Sequence, residues 1–146
     1  MSRTILLALC LLCLAAPMPG GAAAAGIVAG PVEVEVVRVI DGDTFVAAAR
    51  IWPGHVVTVS VRVRGIDAPE MRSRCKAEKA AARRARAALA RLLGDGPARI
   101  SNIGGGKYHG RVLADVETAQ GRDVAPAMLH LGLARAYDGK RRQPMC

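Results

Sequence analysis

The chain has 146 residues and a formal charge of +9, with 21 basic against 12 acidic side chains. Its length suits a single domain, and its 51% hydrophobic content excludes a disordered basic tail. Aromatic residues make up only 3%, so the core must rest on aliphatic side chains, and a nucleic-acid platform built from stacked aromatic rings is disfavoured.

The first 25 residues have the layout of a secretory signal peptide. Arg3 gives a short basic start, residues 5–16 form an apolar run, and prolines and glycines lead to small-residue cleavage sites at 22–25. The apolar run is too short to cross a membrane, although a retained N-terminal anchor is an alternative. We therefore predict a signal peptide at 1–25 and one domain at 26–146, secreted or periplasmic, monomeric and without stable membrane insertion.

Strands open the predicted domain. Valines alternate with polar residues at 32–36 and, most regularly, at 57–63, which predicts two strands with one buried face each. Residues 43–51 form another strand between them, followed by a Pro-Gly turn. The valine face of the third strand should enter the core, with Arg62 and Arg64 on the opposite face.

A helical pattern follows at residues 72–93. Its apolar residues recur at steps of four and three, which predicts a buried stripe opposite a solvated arginine face that can also attract nucleic acid. The stripe consists of Ala81, Ala85, Leu89 and Leu92. Beyond a Gly-Pro stop, the pattern predicts strands at 99–103 and 110–116, a glycine loop at 104–106 and a short helix at 124–131.

This order of elements indicates a small barrel. Five strands with one helix between the third and the fourth suit a closed, five-stranded OB-fold, which is an α+β fold in which helices accompany a β-barrel. The alternative is an open α+β sheet.

The first of two acidic turns places Asp41 and Asp43 around Gly42, at the junction of the first two strands. Aspartate and glycine favour tight turns without any ligand. Carboxylate oxygens are also the ligands that Ca²⁺ and Mg²⁺ prefer, although the ligand spacing of an EF-hand is not met here. The turn by itself leaves both interpretations open.

The second acidic turn, residues 65–70, follows the most regular strand and contains Asp67 and Glu70. It can be a helix entry, with Asp67 as the N-cap and a proline and glutamate in the first helical turn. Alternatively, Asp67 shares a cation with Asp43, and Glu70 is a free carboxylate able to take a proton from water.

Two arginines are candidates for gripping a phosphate. Arg62 lies on the third strand, and Arg111 follows a glycine-rich loop at the start of a later strand. Each can be an ordinary surface arginine of a basic protein. Two guanidinium groups can also hold one phosphate bidentately, which lysine does less well.

Two cysteines remain after the predicted cleavage, Cys75 and Cys146. An exported domain meets an oxidising compartment, so we predict a disulfide between them. A bridge would fix the C-terminal tail beside the second acidic turn. Free thiols on a frayed tail and an intermolecular disulfide are the alternatives.

The order of these motifs resembles the thermonuclease family, the staphylococcal nuclease-like proteins, over about residues 34–137. The resemblance is carried by Asp41-Gly42-Asp43-Thr44, Arg62, Asp67-Ala68-Pro69-Glu70, Gly110-Arg111 and Gly132-Leu133-Ala134. It implies an OB-fold and a Ca²⁺-dependent phosphodiesterase that acts as an endonuclease on DNA and RNA, with Mg²⁺ or another divalent ion possible in place of Ca²⁺.

The resemblance also implies roles for particular residues. Asp43 and Asp67 would bind the metal by side chain and Ala68 by its carbonyl, with Asp41 in support. Glu70 would be the general base, and Arg62 and Arg111 would hold the phosphate; these three are the implied catalytic residues. His109 interrupts the family's usual Lys-Tyr-Gly-Arg run, and the family's third, C-terminal helix is expected to be missing or reduced.

The alternative function is a non-catalytic OB-fold module of the cell envelope that binds single-stranded nucleic acid. All the catalytic residues that the resemblance implies are present in this sequence, which argues against a member that has lost its activity. The scarcity of aromatic residues argues against a surface on which bases stack. An envelope structural protein with an incidental acidic turn is a third hypothesis. A nuclease assay with calcium, magnesium or chelator separates the three.

Overall fold

The computed structural model describes residues 26–142 and residue 146. The signal-peptide prediction concerns residues 1–25 and therefore lies outside the described residues. The elements in chain order are β1 (Val32–Val39), β2 (Thr44–Trp52), β3 (His55–Val63), β4 (Ile66–Asp67), α1 (Lys76–Leu93), β5 (Ala98–Gly105), β6 (Arg111–Glu117), α2 (Val124–His130) and β7 (Arg135–Ala136). No helix within these residues is long and apolar enough to cross a membrane.

Five strands close into a barrel in the order β1-β2-β3-β6-β5, with β5 pairing back to β1. The predicted closed, five-stranded OB-fold barrel is confirmed, and the open sheet is excluded. All neighbouring pairs are antiparallel except β3 and β6, which are parallel. The chain between them, which contains β4, α1 and β5, provides the long connection that a parallel pair needs. β4 and β7, which the sequence pattern did not predict, form a separate two-stranded sheet.

The barrel core is aliphatic around the fully buried Phe45. The predicted valine face of β3 enters the core only in its second half: Val61 and Val63 are fully buried, whereas Val57 is 39% exposed. The reason is that β6 pairs with β3 only from Ser60 onward, so the first half of β3 continues as a hairpin with β2 beyond the closed part of the barrel.

Helix α1 begins four residues later than the predicted start at residue 72, because Cys75 is its N-cap. The Cys75 backbone is extended, and its Sγ accepts a hydrogen bond from the Glu78 backbone N–H at 3.5 Å. Of the two interpretations of the second acidic turn, the helix entry with Asp67 as the N-cap is therefore excluded. The buried stripe also differs from the predicted one, since Ala81 and Leu92 are only half-buried and lie at its edge. The buried residues are Ala82, Ala85, Ala88, Leu89 and Leu93.

The loop predicted at residues 104–106 is shorter than expected. Gly104 and Gly105 belong to β5 and pair with Leu113 and Val112 of β6. Glycine lacks a side chain but keeps both backbone hydrogen-bonding groups, so pairing with β6 overrides its preference for loops. The strand consequently runs up to the edge of the cleft described below.

Candidate functional site

The first acidic turn connects β1 to β2 and packs directly on α1. The backbone N–H groups of Ile40 and Asp41 both donate to the Thr44 carbonyl, and the Asp43 N–H donates to Asp41 Oδ1 at 3.2 Å. A Cβ on Gly42 would lie 2.5 Å from the Ala85 Cβ and 2.7 Å from the Ala68 Cβ. Glycine therefore allows the turn to approach both α1 and the second acidic turn.

This packing buries the Asp43 carboxylate, which is surrounded by hydrogen-bond donors. Oδ1 accepts from Thr44 Oγ1 at 2.7 Å and from Arg62 Nη1 at 2.6 Å, and Oδ2 accepts from the Ala68 N–H at 2.8 Å. Burial raises the pKa of Asp43 above its ordinary value of 3.8, and the negative charge of nearby Asp41 raises it further. The Arg62 guanidinium acts in the opposite direction and lowers the pKa. A buried carboxylate whose pKa is raised is stabilised by a second positive charge.

The second acidic turn is held in place by β4 and β7. Asp67 ends β4, pairs with Arg135 across the small sheet and is only 9% exposed. Arg62 Nη2 donates to Asp67 Oδ1 at 3.0 Å, while Arg62 Nη1 binds Asp43. One guanidinium therefore bridges the two acidic turns.

Glu70 lies at the open side of this cluster, with a side chain that is 59% exposed. Its backbone N–H donates to Glu78 Oε1 at 3.2 Å, and its own Oε1 forms an ion pair with Arg142 Nη1. Arg142 was not among the predicted site residues. Its sequence neighbourhood is a polar tail without periodicity, and its closeness to Cys146 is the only signal that could have suggested a position near the site.

Arg111 reaches the cleft from the start of β6. Ser60 pairs with Arg111 in the parallel β3–β6 ladder, so Arg62, two residues beyond Ser60, lies on the same face of the neighbouring strand. The Arg111 guanidinium stacks over the Tyr108 ring, with Cζ 5.1 Å from the ring centroid. Gly106 braces the loop, because its N–H donates to the Arg111 carbonyl at 2.9 Å.

A cleft of about 480 Å³ brings the predicted site residues together. Its lining includes all six of them: Asp43, Arg62, Asp67, Ala68, Glu70 and Arg111. An adjoining cavity of about 350 Å³ continues past Tyr108 to Tyr137, whose ring lies 5.9 Å from the Arg62 Cζ. By contrast, Arg64 forms an ion pair with Asp115 and lines neither cavity.

The two cysteines at the edge of the site are joined in the structure. Cys75 and Cys146 form a disulfide across a sequence separation of 71 residues, with a Cα–Cα distance of 6.5 Å. Cys75 is also the cap of α1, so the C-terminal tail is attached at the first turn of that helix.

The donor atoms in the cleft fit a hard cation. Asp43, Asp67 and the Ala68 carbonyl offer only oxygen, and the positively charged Arg142 lies within 2.9 Å of both Asp67 Oδ2 and the Ala68 oxygen. Within residues 26–142 and 146, no group of three His, Cys, Asp or Glu side chains forms a metal cluster. A cation here would rest on two carboxylates and one carbonyl, with water completing its shell.

The family model for staphylococcal nuclease homologues matches residues 60–145, which contain most of this cleft. This chain belongs to the staphylococcal nuclease homologues. No curated protein matches the chain. Membership confirms the resemblance and accounts for the closed barrel with its two helices. It also supports a nuclease-like or nucleic-acid-binding domain, whose substrate is nucleic acid.

Proposed function

We propose that this nuclease homologue is an exported, monomeric enzyme that hydrolyses phosphodiester bonds of DNA, RNA or both, with low sequence specificity and with the help of a divalent cation. The observation that carries the proposal is the cleft in which two acidic turns meet two arginines from neighbouring strands. Carboxylates can hold a cation and accept a proton, and guanidinium groups can hold the anionic substrate. The predicted signal peptide is the support for export.

Glu70 is the proposed general base, since it is the most exposed carboxylate of the cluster and is open to water. It takes a proton from the attacking water as the water oxygen bonds to phosphorus and the bond from phosphorus to the leaving ester oxygen breaks. Arg62 and Arg111 hold the phosphate and offset the charge that develops on it. Loss of one such preorganised donor typically slows an enzyme roughly a hundred- to a thousandfold.

Calcium is the proposed cofactor, with magnesium or another divalent ion as the alternative. Asp43, Asp67 and the Ala68 carbonyl would hold the ion, which would offset phosphate charge as a Lewis acid. Asp41 supports the site by accepting a hydrogen bond from the Asp43 N–H and by adding negative charge beside the Asp43 carboxylate. Because Arg62 binds both Asp43 and Asp67, the same guanidinium links the proposed cation site to the proposed phosphate site.

Cleavage of single-stranded DNA, double-stranded DNA and RNA in calcium, magnesium or excess chelator tests the proposal. Glu70→Gln and Arg111→Lys should each slow cleavage at least a hundredfold. The first variant has no general base, and the second keeps the positive charge but cannot donate two parallel hydrogen bonds to the phosphate. Arg99→Lys is the matched control, since Arg99 pairs with Glu117 on the surface. Full cleavage in excess chelator would show that the reaction needs no divalent cation. Unchanged cleavage by Arg111→Lys would show that Arg111 contributes only its positive charge and no bidentate hydrogen bonding.

The second candidate is a non-catalytic module that binds nucleic acid. It is favoured by the observation that Arg62 and Arg142 already pair with Asp43, Asp67 and Glu70, an arrangement that needs no metal. Such a module would bind nucleic acid without cutting it in any of the three conditions. Binding should weaken steeply with salt in both cases, because phosphate contacts release counterions.

A further inference from the structure

The guanidinium of the tail residue Arg142 is surrounded by oxygen acceptors in the cleft. Its Nε lies 2.9 Å from Asp67 Oδ2, and its Nη2 lies 2.9 Å from the Ala68 carbonyl oxygen and 3.2 Å from Glu78 Oε1. Its Nη1 forms an ion pair with Glu70 Oε1. Every contact is made to an oxygen acceptor, and the Arg142 side chain is only 26% exposed.

Three of these acceptors are the atoms to which the proposed function assigns the cation and the base. We propose that Arg142 is a tethered competitor of the divalent cation, an inference that rests on the proposed function. While its guanidinium binds Asp67 and the Ala68 carbonyl, it holds positive charge where the cation would bind. It also engages Glu70, so one side chain restrains both the cation site and the base.

The tail is fixed on both sides of Arg142. Before it, the Tyr137 N–H donates to the Gly65 carbonyl at 2.9 Å, and the Tyr137 hydroxyl donates to the Lys140 carbonyl at 2.6 Å. After it, Cys146 is bonded to Cys75 at the start of α1. A short segment held at both ends gives its side chain a high effective concentration at the cleft, which a free cation must overcome.

Glu78 connects the tether to the competing side chain. Its N–H donates to Cys75 Sγ, while its Oε1 binds both Arg142 and the Glu70 N–H. Its side chain is 11% exposed, so this ion pair is well shielded from water. The disulfide, α1 and the acidic turn therefore form one connected cluster, with Arg142 at its centre.

Calcium affinity, measured by titration calorimetry on the oxidised protein, tests the proposal directly. Arg142→Gln should bind calcium on the order of tenfold more tightly, because charge-assisted contacts that compete with the ion are lost. Arg141→Gln is the matched control, since the exposed Arg141 carries the same charge in the same tail. The double variant Cys75→Ser and Cys146→Ser should also bind more tightly, because the tether is gone while serine can still cap α1.

The same proteins are then compared in melting temperature with chelator present and in KM and kcat for DNA. Arg142→Gln should melt cooperatively and be saturated by less calcium. If the wild-type protein binds calcium and cleaves DNA but Arg142→Gln has unchanged or weaker calcium affinity, the competitor proposal is overturned while the proposed function stands. A raised KM with unchanged calcium affinity would make Arg142 a phosphate contact, which also overturns it. If neither the wild-type protein nor any variant binds calcium or magnesium, and none cleaves DNA or RNA, both proposals fail.

Discussion

Replacing Gly42 by alanine should disturb the candidate site through packing alone. The added Cβ would lie 2.5 Å from the Ala85 Cβ and 2.7 Å from the Ala68 Cβ, closer than carbon atoms that are not bonded to each other approach in proteins. Ala85 is fully buried and Ala68 is 3% exposed, so neither methyl group has space to retreat. The turn itself must move away from α1 and carry Asp43 with it.

Overpacking of this kind costs about 1–3 kcal/mol, which lowers the melting temperature of a domain of this size by about 4–12 °C. The same movement weakens the 2.8 Å hydrogen bond from the Ala68 N–H to Asp43, so calcium affinity and cleavage should fall together with stability. Urea unfolding, calorimetry with calcium and a nuclease assay measure the three effects. Gly104→Ala is the control, since a Cβ at Gly104 meets no atom within 4 Å.

A double-mutant cycle identifies the cause. Ala85→Gly alone should lower the free energy of unfolding by about 1 kcal/mol, because glycine is unfavourable inside a helix. Combined with Gly42→Ala, it removes the closer of the two clashes, so the double variant should be more stable than the sum of the single effects predicts. Strictly additive free energies, or a Gly42→Ala protein with unchanged stability and calcium affinity, would refute the packing argument.

Two further predictions concern the buried carboxylate and the disulfide. Because burial raises the pKa of Asp43 in the native state, the native protein binds that proton more tightly than the unfolded chain does, so this carboxylate costs stability as the pH rises through its native pKa. In chelator, the free energy of unfolding of Asp43→Asn relative to that of wild type should therefore increase between about pH 4 and about pH 8, and a difference independent of pH would contradict this. The Cys75–Cys146 disulfide closes a separation of 71 residues and should contribute about 4 kcal/mol to the free energy of unfolding, measured by urea denaturation with and without reduction. Two free thiols per denatured, unreduced monomer of a protein that lacks residues 1–25, and therefore Cys10 and Cys13, would disprove the bridge.

Local patterns in the sequence determined most of the barrel. Alternating valines predicted β1 and β3, the apolar stripe predicted α1, and glycine and proline marked the turns between them. These signals are readable because strand and helix periods are properties of a few neighbouring residues. The acidic turns were likewise visible as candidate sites, because their residue types lie close together in the chain.

The tertiary structure alone decided how those pieces meet. Arg62 and Arg111 share a face only because β3 and β6 pair in parallel, a register that depends on closing the barrel around a core formed by distant segments. The start of α1 was missed because the cap is a cysteine, which lies outside the usual capping residues. Arg142 could not be distinguished from its basic neighbours, since a polar tail has no period and its position in the cleft is set by contacts to residues more than sixty positions earlier in the chain.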